Sequence, residues 1–199
     1  MAKVMKPEGD RLTLKALIFG ASGSGKTAFG VTAPRPLILL SERQGMATIE
    51  KRVKELDVPM PHVVMMETIR DYAAAVKALH GDQSKPFKWV SHEGETVLEM
   101  EKWPETVVID SITDACELVR DSVVAASPPK KGEDGLEVFS QRHWAALRQR
   151  SEKVIRWFRD VPLNVIFLAL LTERIDESSD GVATLSIGPS MPLRAPPVP

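Results

Sequence analysis

The sequence predicts a three-layer α/β domain, with a mostly parallel sheet covered by helices on both faces. Three observations carry this expectation. Short apolar runs alternate with segments whose apolar residues recur at helical spacing, the signature of strand–helix–strand units. The runs LILL (37–40) and TVVI (106–109) are continuous, as in strands buried on both faces. A glycine-rich turn separates the first strand from the first helix.

Along the chain, Leu12–Phe19 is apolar and partly alternating, which predicts a strand. After the glycine turn, Lys26–Val31 reads as a short helix closed near Pro34. Leu37–Leu40 is the next strand, followed by a helix over Gly45–Leu56 with Ile49, Val53 and Leu56 on one face. His62–Met66 predicts a strand, and Ile69–His80 a helix aligning Tyr72, Val76 and Leu79. Residues 81–104 are irregular and read as a long connection or a small hairpin insert. Thr106–Ile109 predicts a buried strand with a helix after it through Val124. Ser127–Gly135 (SPPKKGEDG) predicts a loop. Phe139–Asp160 is a long amphipathic helix, Asn164–Leu171 (NVIFLALL) the most apolar strand, and Ala183–Ile187 a last one. The proline-rich end cannot join a helix or a central strand. The division is therefore a leader over 1–10, one domain over 11–192, and a tail over 193–199.

Bulk properties narrow the function classes. The chain has 199 residues, 43% hydrophobic and 27% charged, enough to bury a core. A net charge of −1 leaves any nucleic-acid contact to a local patch. The single cysteine, Cys116, excludes an internal disulfide and fits a reducing cytoplasm. No apolar run approaches the ~20 residues a membrane span needs, so no membrane partner is expected. The four histidines have no zinc-like spacing with Cys116.

GASGSGKT, Gly20–Thr27, satisfies G-x-x-x-x-G-K-[ST] and sits between a predicted strand and helix. That context gives the motif its chemistry. Glycines let successive N–H groups curl around phosphate oxygens, and the helix start adds its positive dipole end. The nucleotide-binding candidates are Ala21, Ser22, Gly23, Ser24, Gly25, Lys26, Thr27 and Ala28. Lys26 reaches the β and γ phosphates, and the Thr27 hydroxyl ligates magnesium. The expected cofactors are ATP and Mg²⁺, in a P-loop NTPase fold.

Such a site needs a carboxylate opposite, at the end of a buried strand. Asp110, ending VVID, is the metal candidate; the competing reading makes it a cap for the next helix beside Ser111. Because serine follows Asp110, the base that activates water must lie elsewhere. Glu42 is the candidate, following LILLS at a strand end on the crevice side of the sheet. Its alternative is a solvated loop glutamate beside Arg43.

On these residues the chain resembles the RecA-like ATPases: VVIDSIT is similar to their Walker B strand, and LLSERQG to the strand end bearing their catalytic glutamate. TAPRPLILL and GPSMP resemble more specifically the phage-encoded single-domain Sak-type ATPases of single-strand annealing and recombination. The resemblance covers residues 12–192. It implies Lys26 and Thr27 on phosphate and magnesium, Asp110 on magnesium, Glu42 on the attacking water, and Thr172 sensing the γ phosphate. It also implies assembly of identical subunits bridged by ATP, single-stranded DNA and a single-strand DNA-binding protein as partners, and action in the cytoplasm of a bacterial host. Members usually continue beyond GPSMP, whereas this chain stops in APPVP; that difference bears on subunit assembly more than on nucleotide binding.

DNA-contact candidates are Lys130 and Lys131 in the 127–135 loop, with Arg142 at the head of a helix whose face also carries Arg148, Arg150, Lys153, Arg156 and Arg159. The plainer reading is a solvated outer face opposite Trp144, Leu147, Val154, Ile155 and Phe158, with Glu133 and Asp134 offsetting the two lysines. Trp157, beside the basic face, is a candidate base-stacking residue or a partly buried one. Two other functions stay open: a small-molecule or nucleotide kinase recruiting Arg174 and Arg142, and an interaction module that binds ATP without turnover.

Overall fold

In the computed structural model, residues 13–132, 135, 137–177 and 183–189 are described, with the backbone alone for 173–177 and 183–187. The leader, the tail, Glu133 and Asp134 lie outside the described residues, and Arg174 is described by its backbone alone.

The elements follow one another as β1 (Lys15–Gly20), α1 (Lys26–Val31), β2 (Pro36–Leu40), α2 (Gln44–Leu56), β3 (His62–Met65) and α3 (Ile69–Leu79). Then come β4 (Phe87–Val90), β5 (Thr96–Met100), β6 (Thr106–Asp110) and α4 (Ile112–Ala126). The last are β7 (Lys130–Lys131), β8 (Glu137–Val138), α5 (Gln141–Arg159), β9 (Asn164–Glu177) and β10 (Ala183–Pro189). The main sheet runs β1–β9–β6–β2–β3, every neighbouring pair parallel, and β10 joins β9 antiparallel. The chain is thus an α/β fold of the kind the sequence predicts.

Period-two alternation explains why LILL is apolar throughout. Leu37 and Leu39 face a core built with α3, α4 and α5, which includes Val107, Ile109, Val165, Phe167, Tyr72, Val119 and Phe158. Ile38 and Leu40 face the opposite way, into a second core with Val31 of α1, Ile49 of α2, Val108, Ile166 and Leu168. Every residue of this run is 1% exposed or less. A strand sandwiched this way has no solvent side on which to place a polar residue.

The structure settles the regions where periodicity is silent. Residues 87–100 form an antiparallel hairpin, with Phe87 and Trp89 buried against α3. The 127–135 segment is not loop throughout: Lys130–Lys131 pair with Glu137–Val138 in a short hairpin. The sequence hides this pairing because two prolines and a glycine-rich, charged turn surround it. β9 also outruns the expected strand, reaching Glu177, because β10 supplies a partner for residues 171–177. Isolated apolar patterning stops at Leu171, while hydrogen bonding continues.

Candidate functional site

All strands that matter end on one side of the sheet. Leu40, Asp110 and Leu168 share a row in register, and Gly20 lies beside Leu170 two residues further along. The P-loop, Asp110 and the Ser41–Glu42 turn therefore open onto the same crevice, as strand C-terminal ends do in open α/β sheets. A cleft of about 550 Å³ occupies it, lined by Ser22, Gly23, Lys26, Thr27, Glu42 and Asp110 among others.

The loop has the shape its glycines permit. Gly23 and Gly25 sit at φ +76° and +92°, where L side chains are strained. Gly25 is also the N-cap of α1, and among the described residues no side chain caps that helix start, which leaves its first N–H groups available to a ligand. Lys26 folds over the loop, its ammonium donating to the carbonyls of Gly20 at 2.9 Å and Ala21 at 2.8 Å. An ammonium has three N–H donors, so one remains for a phosphate oxygen.

Asp110 points toward α1 for a reason of parity. It follows Val108 by two residues, and Val108 belongs to the core on the α1 side. The Thr27 hydroxyl accordingly donates to Asp110 Oδ2 at 2.9 Å. Two oxygens at that spacing match the edge of a magnesium octahedron, about 2.9 Å for ~2.05 Å metal–oxygen bonds. These residues fit the metal: hard oxygens, one anionic, beside the phosphate loop. Ser111, not Asp110, caps α4, its hydroxyl accepting from the Asp114 N–H. That removes the competing cap reading of Asp110.

Burial raises the Asp110 pKa above the usual carboxylate value. The Thr27 hydrogen bond and Lys26 oppose this, while Asp114 and Glu42 push it further up. Burial and two neighbouring carboxylates penalise the charge on Asp110, a penalty that a bound divalent ion would relieve.

Glu42 is exposed and lines the same cleft. Thr172 does not join it in that lining: the β9 residue there is Leu170, and Thr172 pairs with Gly188 of β10 further along. The far wall was missed by sequence reasoning. Gln44, Ala47, Thr48, Lys51 and Arg52 of α2 line the cleft opposite the P-loop, as does Asp114 of α4. The i, i+3, i+4, i+7, i+8 spacing from Gln44 marks them as one helical face, but only the fold aims that face at the P-loop.

The DNA candidates lie elsewhere. Lys130 and Lys131 are exposed on the small hairpin, whose base is tied to α5 by His143 Nε2 at 3.0 Å from the Ser127 carbonyl. Arg142 is exposed in the first turn of α5. None of the three lines the cleft. Further along, Arg148 and Arg156 are paired with Glu152, and Arg150 donates to the Ser122 carbonyl and hydroxyl. Trp157 is partly buried against the core, beneath Lys153. Among the described residues no helix is long and apolar enough to cross a membrane, and no cluster of histidine, cysteine and carboxylates forms a further metal site.

No curated protein matches the chain. A family model described as an AAA domain matches residues 12–195. That span encloses the P-loop, Asp110 and the strands that present them, and the chain belongs to the AAA domain family of P-loop ATPases.

Proposed function

We propose that this protein binds ATP with magnesium in the cleft between the P-loop and α2, hydrolyses it, and uses the cycle on single-stranded DNA in phage or bacterial recombination or strand annealing. The observation that carries the hydrolytic part is the 2.9 Å contact of Thr27 with Asp110, made in the cleft that Glu42 also lines.

The residues divide the work. Backbone N–H groups from Ala21 to Ala28 grip the β and γ phosphates, and Lys26 neutralises charge that grows on the γ oxygens. Thr27 and Asp110 hold the magnesium, which when bound supplies Lewis-acid polarisation of the phosphates. Glu42 accepts the proton of the water whose oxygen bonds to the γ phosphorus, as the bond to the ADP oxygen breaks.

The DNA part rests on the resemblance of the VVIDSIT and LLSERQG segments and on the exposed cations Lys130 and Lys131 of the small hairpin and Arg142 in the first turn of α5. Assembly through ATP-bridged identical subunits belongs to the same reading, with a single-strand DNA-binding protein as a further partner. The test is ATP turnover with and without single-stranded DNA, in wild type and Glu42→Gln. Glu42→Gln is expected to lose about 10²- to 10⁴-fold in turnover while still binding ATP. If DNA changes neither turnover nor oligomeric state, the recombination role is wrong and the ATPase role stands.

A further inference from the structure

Ser41 is pinned twice. Its N–H donates to the Asp110 carbonyl at 3.0 Å, carrying the β2–β6 ladder one residue past β2. Its hydroxyl shares a 2.6 Å hydrogen bond with the Tyr72 phenol. On the other side, the Met66 N–H donates to the Leu40 carbonyl at 2.8 Å. The backbone that delivers Glu42 is therefore held on both flanks and by one side chain.

Tyr72 is unusual company for a strand end. It lies in α3, wholly buried, with its ring edge-on to Phe158 at 6.0 Å and 87°. Packing thus fixes the ring, and the phenol oxygen reaches the residue that follows β2 and precedes Glu42. Burial raises the phenol's pKa, so it stays neutral and keeps its proton. Glu42, by contrast, has no side-chain hydrogen bond among the described residues. Where its carboxylate sits is decided by the backbone that carries it.

We infer that Tyr72 is a positioning residue for hydrolysis, fixing through Ser41 the strand end from which Glu42 reaches the attacking water. The inference rests on the role proposed for Glu42. Losing the phenol lets Ser41 rotate and the strand end loosen. A misplacement of about 1 Å near reacting atoms can cost ~10²-fold in rate.

The experiment measures kcat and ATP affinity for Tyr72→Phe, Ser41→Ala and Ser41→Thr, each alone, and for Tyr72→Phe combined with Glu42→Gln. Tyr72→Phe keeps the ring against Phe158, and Ser41→Ala tests the same bond from its other partner should the first variant fold poorly. The expected result is a loss of about tenfold or more in kcat for Tyr72→Phe and Ser41→Ala, with ATP affinity held within about twofold. Ser41→Thr, which keeps the hydroxyl, recovers most of the rate, and Tyr72→Phe costs nothing further on the Glu42→Gln background. Unchanged kcat in both single variants overturns the inference while leaving Glu42 in place. An equal loss on the Glu42→Gln background, or weakened ATP binding in step with kcat, overturns it in favour of a merely structural role. Wild-type turnover by Glu42→Gln removes the Glu42 reading itself, and this inference with it.

Discussion

Replacing Asp110 by asparagine separates the needs of the folded chain from those of the nucleotide. Asparagine keeps an oxygen to accept from the Thr27 hydroxyl, 2.9 Å away in the parent, and removes the charge. That charge is half-buried and is raised in cost by Asp114 and Glu42, with Lys26 as its compensating cation. Without ligand the variant should be more stable, by about 1 kcal/mol, as relieving a strained functional position commonly yields. For a chain of this length that raises Tm by about 2–4 °C. The pH dependence has a definite sign. Because the folded pKa is raised, the native state holds this proton more tightly than the unfolded chain. Wild-type stability then falls as pH rises from the ordinary aspartate value, about 3.9, through the raised one. The variant lacks that fall, so its advantage should shrink at acidic pH. With Mg·ATP at 100 times its Kd, wild type gains about 2.7 kcal/mol. Losing a charged ligand of the metal, worth about 1.5–3 kcal/mol, weakens binding ten- to over a hundredfold. A variant bound a hundredfold more weakly gains only about 0.4 kcal/mol at the same concentration. The order of melting temperatures therefore inverts on adding Mg·ATP, which differential scanning fluorimetry reads directly. Asp110→Asn melting below wild type without ligand, or gaining as much from Mg·ATP, would refute the reasoning.

Three further outcomes follow from packing. Gly30 of α1 is buried, and a Cβ there would stand 3.0 Å from Val108 Cγ1 and 3.6 Å from Leu168 Cδ1. Gly30→Val should cost about 2–3 kcal/mol in urea unfolding and weaken ATP binding, because α1 carries the P-loop's helical end; a loss under 0.5 kcal/mol contradicts this. Phe158 is fully buried and stacked edge-on against Tyr72, so Phe158→Ala should lose about 3–5 kcal/mol at an unchanged denaturant slope. Among the described residues the buried Thr106 hydroxyl has no hydrogen-bond partner, so Thr106→Val should leave stability unchanged or raise it by up to about 1 kcal/mol. A clear loss in that variant would reveal a partner for the hydroxyl.

Much of this molecule is legible in one dimension. The P-loop can be read because phosphate binding depends on consecutive backbone N–H groups, and eight adjacent residues specify them. Leu37–Leu40 and Val107–Ile109 can be read because a strand covered on both faces has no place for a polar side chain, so burial writes itself as an unbroken apolar run. Asp110 and Glu42 can be nominated for the same reason: Asp110 directly follows such a run, and Glu42 follows one with only Ser41 between. Where pairing is local but apolar signal is weak, as at Lys130–Lys131 with Glu137–Val138, the strand passes unseen.

What the sequence alone determined, then, is the alternation of strands and helices, the phosphate loop, and which carboxylates end buried strands. Only the tertiary structure decided that β9 lies between β1 and β6, that Thr27 meets Asp110, and that α2 turns Thr48, Lys51 and Arg52 toward the cleft while Thr172 stays out of it. It also brought the phenol of Tyr72 from α3 to Ser41. The physical reason is that local patterning fixes each residue's face within its own element, whereas contacts between residues 31 or 83 positions apart depend on strand order and helix placement. Those are set by how whole faces pack together, and no short stretch of chain records them.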